Sequence, residues 1–154
     1  MGSGKSSVGT KFAKQSKYDF LDTDKMIESS EGKSIGEIFK DKGEAYFRSL
    51  EEETVKWLRK NAQNSVISTG GGMLVYCDEL KEVGKIVYLK VPFSSIMSRM
   101  TSEELQKRPL FKDREKAQEM YNIRDSIYEN RADIIIDADT NLDEVVLRLS
   151  SAVA

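Results

Sequence analysis

The residues with the clearest chemical meaning stand at the start of the chain. Gly2-Ser3-Gly4-Lys5-Ser6 matches the second half of the phosphate-binding pattern G-x-x-x-x-G-K-[ST]. Glycines let backbone N–H groups approach phosphate oxygens, and the next helix directs its positive end at the same oxygens. In this pattern the lysine reaches the β- and γ-phosphates and the hydroxyl ligates Mg²⁺. We therefore predict that Lys5 and Ser6 bind a nucleoside triphosphate, the alternative being a flexible Gly/Ser start.

A pair of carboxylates follows the apolar stretch Tyr18-Asp19-Phe20-Leu21, which we predict to be a strand. Asp22 and Asp24 lie two residues apart at the end of this predicted strand. Open α/β sheets bind ligands beyond the carboxyl ends of their strands, so both side chains would point at a ligand. One carboxylate can help to hold hydrated Mg²⁺, and the other can take a proton from an attacking hydroxyl. The alternative is a helix start capped by Thr23 or Asp24.

Three further features could surround a small anionic substrate. Thr69-Gly70-Gly71-Gly72 follows another predicted strand, and such a run lets the backbone lie flat against a ligand, although a loose turn is the alternative. Arginine binds carboxylates and phosphates in a bidentate fork, and the candidates are Arg48, Arg108 and Arg124. Glu51, three residues after Arg48, could orient it on one helix face. The charged segment 102–115 predicts either a polar surface loop or a mobile lid.

Composition excludes several other chemistries. The 154 residues contain 24 Lys and Arg against 26 Asp and Glu, a net charge of -2, which argues against general nucleic-acid or anionic-membrane binding. There is no histidine, which excludes histidine bases and histidine metal sites. The single cysteine, Cys77, is expected to be a small buried hydrophobe. No apolar run would span a bilayer and no signal peptide opens the chain, so a reduced cytoplasmic location is expected.

The elements that must position these residues alternate along the chain. Short apolar runs rich in β-branched residues predict strands buried on both faces, as in a parallel sheet. These runs are 65–68, 86–91 and 132–136, with 18–21 as a weaker fourth. Helical spacing predicts helices over 5–15, 44–60, 93–100, 116–130 and 141–150, and the capping-box pattern from Ser34 to Glu37 starts a further one. The alternation predicts a single α/β domain over 1–154.

Taken together, the motifs resemble those of shikimate kinase, and the resemblance covers nearly the whole chain. It depends on the following segments, in this order: Gly2-Ser3-Gly4-Lys5-Ser6-Ser7, Leu21-Asp22-Thr23-Asp24, Gly32-Lys33-Ser34-Ile35, Ile38-Phe39, Gly43-Glu44, Phe47-Arg48 with Glu51, Thr69-Gly70-Gly71-Gly72, Lys107-Arg108-Pro109-Leu110, and Arg124 with Ile127-Tyr128. The resemblance implies a P-loop, nucleoside-monophosphate-kinase-like fold. That fold is a three-layer α/β sandwich whose parallel sheet has strand order 2-3-1-4-5.

The resemblance also implies a reaction and a set of site residues. ATP would phosphorylate the 3-hydroxyl of shikimate, in aromatic amino-acid biosynthesis, with Mg²⁺ as cofactor. Asp24 would be the base, and the substrate-binding segment would span about 24–62. The implied ATP contacts are Gly2, Ser3, Gly4, Lys5, Ser6, Ser7, Arg99 and Arg108, with Ser6 and Asp22 at the metal. The implied shikimate contacts are Asp24, Arg48, Gly70, Gly71, Gly72 and Arg124. Lys5 and Arg108 would offset charge on the transferring phosphoryl group, and a monomer is expected.

Two departures from the family pattern leave alternatives open. No strand precedes the phosphate loop, so strand 1 of the family order is expected to be missing, and the chain alone is expected to be unstable or inactive. The family often carries an arginine in the adenine loop, where this chain has Asp137-Ala138-Asp139-Thr140-Asn141. The missing strand leaves open a chain that keeps the site residues without turnover. Lys5-Ser6 and the acidic pair also occur in other small-molecule kinases, such as a gluconate kinase, which is the second alternative.

Overall fold

The computed structural model describes residues 2–154, so Met1, the first residue of the predicted phosphate loop, lies outside the described residues. The chain divides into two compact units. The N-terminal unit is Ser6–Lys85, and the C-terminal unit is residues 2–5 together with Ile86–Ala154. Within the described residues, four strands form two separate parallel pairs, β1 with β2 and β3 with β4. In the predicted order 2-3-1-4-5, from which strand 1 is expected to be missing, β1 and β2 correspond to strands 2 and 3. Strands β3 and β4 correspond to strands 4 and 5.

The N-terminal unit holds the first parallel pair and the longest helix. Its elements are α1 (Lys5–Ser16, in this unit from Ser6 on), β1 (Asp19–Asp22), α2 (Thr23–Glu31), α3 (Ile35–Asn61), β2 (Ser65–Ser68), α4 (Met73–Tyr76) and a 3₁₀ turn over Asp78–Glu82. The register pairs Asp19 with Ser65 and Asp22 with Ser68, so both strands end at the same level. The residues that follow each strand, 23–24 and 69–72, therefore emerge side by side.

Helix α3 begins and bends at residues that the sequence marks. Ser34 accepts a hydrogen bond from the Glu37 N–H while the Glu37 side chain accepts one from the Ser34 N–H, which confirms the predicted capping box. Gly43 has φ 82°, a left-handed value, so the helix is kinked there and a new helical segment begins at Glu44. Ile38 and Phe47, one on each side of the kink, are buried in a cluster with Ile27 of α2.

Helix α1 lies close against β1 because of one glycine. A Cβ added at Gly9 would lie 2.6 Å from the Phe20 ring, so any larger residue would push the helix away from the strand. This close packing sets the height of Ser6, in the first turn of α1, relative to the end of β1.

The C-terminal unit holds the second parallel pair. Its elements are β3 (Val87–Lys90), α5 (Phe93–Arg99), α6 (Ser102–Lys107), a 3₁₀ turn over Pro109–Lys112, α7 (Arg114–Arg131), β4 (Ile134–Asp137) and α8 (Leu142–Val153). The Tyr88 hydroxyl donates to Asp125 at 2.6 Å, and the Tyr121 hydroxyl donates to the Val91 carbonyl at 2.7 Å. The two bonds fasten α7 to β3 and to the residue that follows it. No helix within residues 2–154 is long and apolar enough to cross a membrane.

Candidate active site

The glycines of the predicted phosphate loop adopt the backbone that such a loop requires. Gly2 and Gly4 have φ of 57° and 80°, a region that residues with a Cβ rarely occupy. Helix α1 begins directly afterwards, at Lys5, so the N–H groups of its first turn have no partner within the helix. A loop of left-handed glycines running into a helix start is a geometry that binds phosphate.

The two predicted metal ligands face each other within the N-terminal unit. The Ser6 hydroxyl lies 3.5 Å from Asp22 Oδ2. The other oxygen, Asp22 Oδ1, accepts the Lys25 N–H at 3.2 Å, so Asp22 is the N-cap of α2. The alternative that Thr23 or Asp24 caps this helix is therefore wrong: Asp22 keeps an extended backbone (φ -120°), whereas the helix already starts at Thr23.

Thr23 and Asp24 instead meet the glycine-rich turn after β2. Thr23 is fully buried, and its hydroxyl accepts the Gly70 N–H at 3.1 Å. A Cβ added at Gly70 would lie 2.7 Å from Asp24 Oδ1 and 3.3 Å from Glu51 Oε1. Only a glycine at this position lets both carboxylates approach the turn so closely. That the backbone of this turn lies flat against a ligand stays a prediction.

The Arg48 guanidinium forms an ion pair with a buried carboxylate. Its Nη1 donates to Glu51 Oε2 at 2.6 Å, and the Glu51 side chain is 1% exposed against 18% for Arg48. Burial alone would lower the pKa of Arg48, but the ion pairs with Glu51 and Glu44 outweigh it and raise the pKa. Arg48 is therefore a permanent cation. A Cβ added at Gly72 would lie 2.8 Å from Arg48 Cζ, so the turn also leaves room for the guanidinium.

Two further contacts of Arg48 were missed from the sequence. Glu44 Oε1 lies 3.4 Å from Arg48 Nε and 3.3 Å from Nη2. The ring of Tyr76, at the end of α4, lies 4.1 Å from Arg48 Cζ and is half exposed. The Glu44 contact could have been found from its i,i+4 spacing to Arg48. The Tyr76 contact joins residues far apart in sequence, and no local pattern signals it.

Five predicted substrate residues thus belong to one region of the N-terminal unit: Asp24, Arg48, Gly70, Gly71 and Gly72. The region places a carboxylate beside a cation, with a glycine turn between them. A ligand that carries an anionic group and a hydroxyl fits this arrangement, because the cation would bind the anion and the carboxylate would accept the hydroxyl proton.

The other predicted residues with long side chains belong to the C-terminal unit. Arg99 Nη2 lies 2.8 Å from Asp139 Oδ1, and the Ser95 hydroxyl donates to Asp139 Oδ2 at 3.0 Å. Arg99 is thus paired with the loop in which the family often carries an arginine. Arg124 is half-buried on α7, whose attachment to β3 fixes the helix that carries it. Arg108 is exposed and follows the last residue of α6.

The segment 102–115 is more ordered in the structure than a polar surface loop. Thr101 and Glu104 form a capping box that starts α6, and a 3₁₀ turn over Pro109–Lys112 follows. Phe111 is buried and anchors this turn. The pattern Thr101-Ser102-Glu103-Glu104 was the local signal of a helix start that the dense charge concealed. The role of this segment as a lid stays a prediction.

Cys77 and the possible metal ligands complete the inventory of reactive groups. Cys77 is buried, and burial, followed by the charges of Glu51 and Glu52, raises the pKa of its thiol to about 11. This confirms it as a buried small residue.

Within residues 2–154, no group of three or more acidic or cysteine side chains could enclose a metal ion. Ser6 and Asp22 offer two hard oxygen ligands, which fits Mg²⁺, since this ion keeps several waters and binds few protein carboxylates.

The parallel strands, the glycine loop that opens α1 and the Ser6–Asp22 pair define an α/β kinase of the P-loop class. The shikimate kinase family model matches residues 1–154, and the chain belongs to this family. It is 43% identical to a shikimate kinase of Helicobacter hepaticus, an alignment that covers 97% of this chain and 89% of the relative. It is 46% identical to a shikimate kinase of Clostridium botulinum strain Okra, with the same two coverages.

Solved structures of the family share the fold. The crystal structure of shikimate kinase from Aquifex aeolicus matches with a TM-score of 0.84 at 37% identity, covering 99% of this chain and 91% of that one. Shikimate kinase from Acinetobacter baumannii in complex with shikimate matches with a TM-score of 0.89 at 29% identity, covering 99% and 88%. The predicted α/β P-loop kinase fold is thereby confirmed.

Proposed function

We propose that this protein transfers the γ-phosphoryl group of ATP to the 3-hydroxyl of shikimate, giving shikimate 3-phosphate. The observation that carries this proposal is the Arg48 site: a guanidinium held by buried Glu51 beside the glycine turn that packs on Asp24. Membership of the shikimate kinase family supports the choice of substrate, and the Acinetobacter baumannii relative binds shikimate in its crystal structure.

The substrate carboxylate is assigned to arginine. Arg48 has a fixed cation with N–H groups on the edge opposite Glu51, and charge-assisted bidentate pairing with a carboxylate both binds and orients a ring. Arg124 is proposed as the second arginine that contacts this carboxylate. Gly71 and its neighbours would line the ring, because a turn without side chains lets a flat ligand approach its backbone.

The reacting hydroxyl is assigned to Asp24. Its carboxylate lies against Gly70, and the Arg48 guanidinium lies against Gly72 of the same turn. In this role Asp24 accepts the proton of the 3-hydroxyl as the oxygen attacks the γ-phosphorus. A carboxylate can serve as the base of this reaction, so the absence of histidine from the chain is consistent with the proposal.

The phosphates are assigned to the glycine loop and the basic side chains. Residues 2–7 would surround the phosphate oxygens with backbone N–H groups, and Lys5 and Arg108 would offset the charge of the transferring group. Ser6 and Asp22 would hold Mg²⁺, which neutralises phosphate charge when bound. Arg99 would contact the adenine, and the segment 102–115 would exclude water that could otherwise hydrolyse ATP.

A coupled assay of ADP release with shikimate, gluconate and buffer alone tests the proposal. We expect turnover with shikimate only; gluconate also has a carboxylate, so its turnover would favour the other kinase class. Asp24→Asn should lower kcat by about 10²-fold, because the amide cannot accept the proton. Arg48→Ala should raise KM for shikimate by roughly 10- to 150-fold. Arg59→Ala is the matched control, since Arg59 lies on the same helix but pairs with Glu79 and Glu82.

A further inference from the structure

Arg48 presents two different edges to two different carboxylates. Its Nη1 donates to Glu51, whereas Nε and Nη2 both face Glu44 Oε1, at 3.4 and 3.3 Å. Two neighbouring N–H groups that point the same way form the edge with which arginine binds a carboxylate in bidentate fashion. Glu44 therefore lies on the edge of Arg48 that is best suited to a carboxylate ligand.

The two carboxylates differ greatly in how easily they could leave. The Glu44 side chain is 59% exposed, and that of Glu51 is 1% exposed. Separating Glu51 from Arg48 would leave the buried carboxylate without this ion pair in the protein interior. Glu44 can leave Arg48 at low cost, because water solvates its exposed carboxylate. Other neighbours of the guanidinium are the Tyr76 ring, 4.1 Å from Arg48 Cζ, and Gly72, which lies close beside it.

The kink at Gly43 places Glu44 at the start of a helical segment, where its carboxylate has a favourable position besides its contact with Arg48. Glu44 is the first residue after the left-handed glycine, so it lies in the first turn of the segment that continues to Asn61. A carboxylate in the first turn of a helix is stabilised by the unpaired N–H groups there. Glu44 therefore keeps a favourable position when its contact with Arg48 is broken.

We infer that Glu44 is a placeholder carboxylate, which competes with the carboxylate of the substrate for the Nε–Nη2 edge of Arg48. The inference depends on the proposed function, because it takes Arg48 as the group that binds the shikimate carboxylate. Before substrate binds, Glu44 and Glu51 together keep the guanidinium oriented. Glu44 also imposes a threshold, since a ligand must outcompete an attached carboxylate and weakly bound anions do not.

The test is Glu44→Gln, which preserves shape and removes the charge. We expect Kd for shikimate, measured by calorimetry, and KM for shikimate both to fall by about threefold, since the weaker competitor leaves the edge more readily. The change in kcat and in KM for ATP should be smaller. Glu53→Gln is the matched control, because Glu53 is an exposed carboxylate five residues after Arg48, a spacing that separates side chains on a helix.

Two sets of results would overturn the inference, and they are distinguishable. If shikimate is phosphorylated and Arg48→Ala weakens its binding, but Glu44→Gln leaves Kd unchanged or raises it, then the placeholder role is wrong and the proposed function stands. If the parent protein does not phosphorylate shikimate, or Arg48→Ala keeps the parent Kd, then the proposed function or its carboxylate site fails and the placeholder role fails with it.

Discussion

Arg48 and Glu51 form an ion pair of 2.6 Å in which the carboxylate is almost fully buried and the guanidinium reaches the surface. The asymmetry has an energetic consequence, because an unpaired charge is far more costly on the buried side than on the exposed side. Glu51 thus neutralises and orients Arg48 from the buried side, whereas the partner on the outer edge of Arg48 is the exposed Glu44.

The first prediction concerns this pair. Glu51→Gln should lower the free energy of unfolding by about 1–3 kcal/mol, because it leaves a half-buried cation without its main partner. In an Arg48→Met background the loss should be much smaller, since Glu51 has then already lost its ion pair with Arg48 and its neutralisation breaks no contact with that residue. Urea unfolding of the four proteins measures both effects. An equal loss in both backgrounds would contradict direct coupling of the two residues.

The second prediction separates capping from metal binding at Asp22. Asp22 and Asp113 each cap a helix by accepting an N–H at 3.2 Å, from Lys25 and Lys116. Asparagine caps as well as aspartate, so both Asp→Asn variants should unfold within about 0.5 kcal/mol of the parent. Only Asp22→Asn should raise the Mg²⁺ concentration for half-maximal turnover, by about tenfold. A Mg²⁺ titration identical to that of Asp113→Asn would leave Asp22 as a helix cap alone.

The third prediction concerns the space beside Arg48. Gly72→Ala adds a methyl group where the guanidinium lies, while its backbone (φ -85°) suits alanine. We expect a loss of about 1–3 kcal/mol of stability and about a tenfold rise in KM for shikimate. Gly36→Ala is the control, because a Cβ there meets nothing within 4 Å and a helix favours alanine by about 0.5–1 kcal/mol. Equal behaviour of the two variants would show that Arg48 moves aside without cost.

The fourth prediction concerns the Tyr76 ring. Its contact with the Arg48 guanidinium is of the cation–π kind, worth about 0.5–1 kcal/mol at a half-exposed site. Tyr76→Leu should therefore weaken shikimate binding about two- to fivefold, and Tyr76→Phe should not, because it keeps the ring. Direct titration with shikimate provides the measurement. If the phenylalanine variant were as weak as the leucine variant, the hydroxyl and not the ring would be responsible.

The fifth prediction concerns pH and Cys77. Because burial raises the pKa of its thiol to about 11, the thiolate fraction at pH 8 should be about 10²-fold lower than in the unfolded chain, whose cysteine pKa is about 8.5. Alkylation by iodoacetamide should be slower by at least that factor in the folded protein. The neutral thiol favours the folded state below pH 8.5, and this contribution is lost as the pH rises towards 11. Rapid native alkylation would contradict this environment.

Local features were predictable from the sequence, and contacts across the chain were not. The capping box at Ser34 and the order of strands and helices depend on neighbouring residues, so pattern and propensity suffice. The sequence does not identify Asp22 as the cap, because Thr23 and Asp24 are also residue types that cap helices, and only the backbone shows where the helix starts. The ring of Tyr76 over Arg48 and the Thr23–Gly70 bond join distant segments, so tertiary packing alone reveals them.

The Thr23–Gly70 hydrogen bond has a consequence for how this protein folds. It joins residues 47 positions apart and closes the loop between β1 and β2. Closing so long a loop costs chain entropy before any contact compensates, so this part of the molecule should form late and its contacts should show low φ-values. The Gly70 amide, bound to a fully buried hydroxyl, should then exchange with deuterium only when the whole N-terminal unit opens. When closing is faster than chemical exchange, the protection of this one amide would report the free energy of opening of the N-terminal unit.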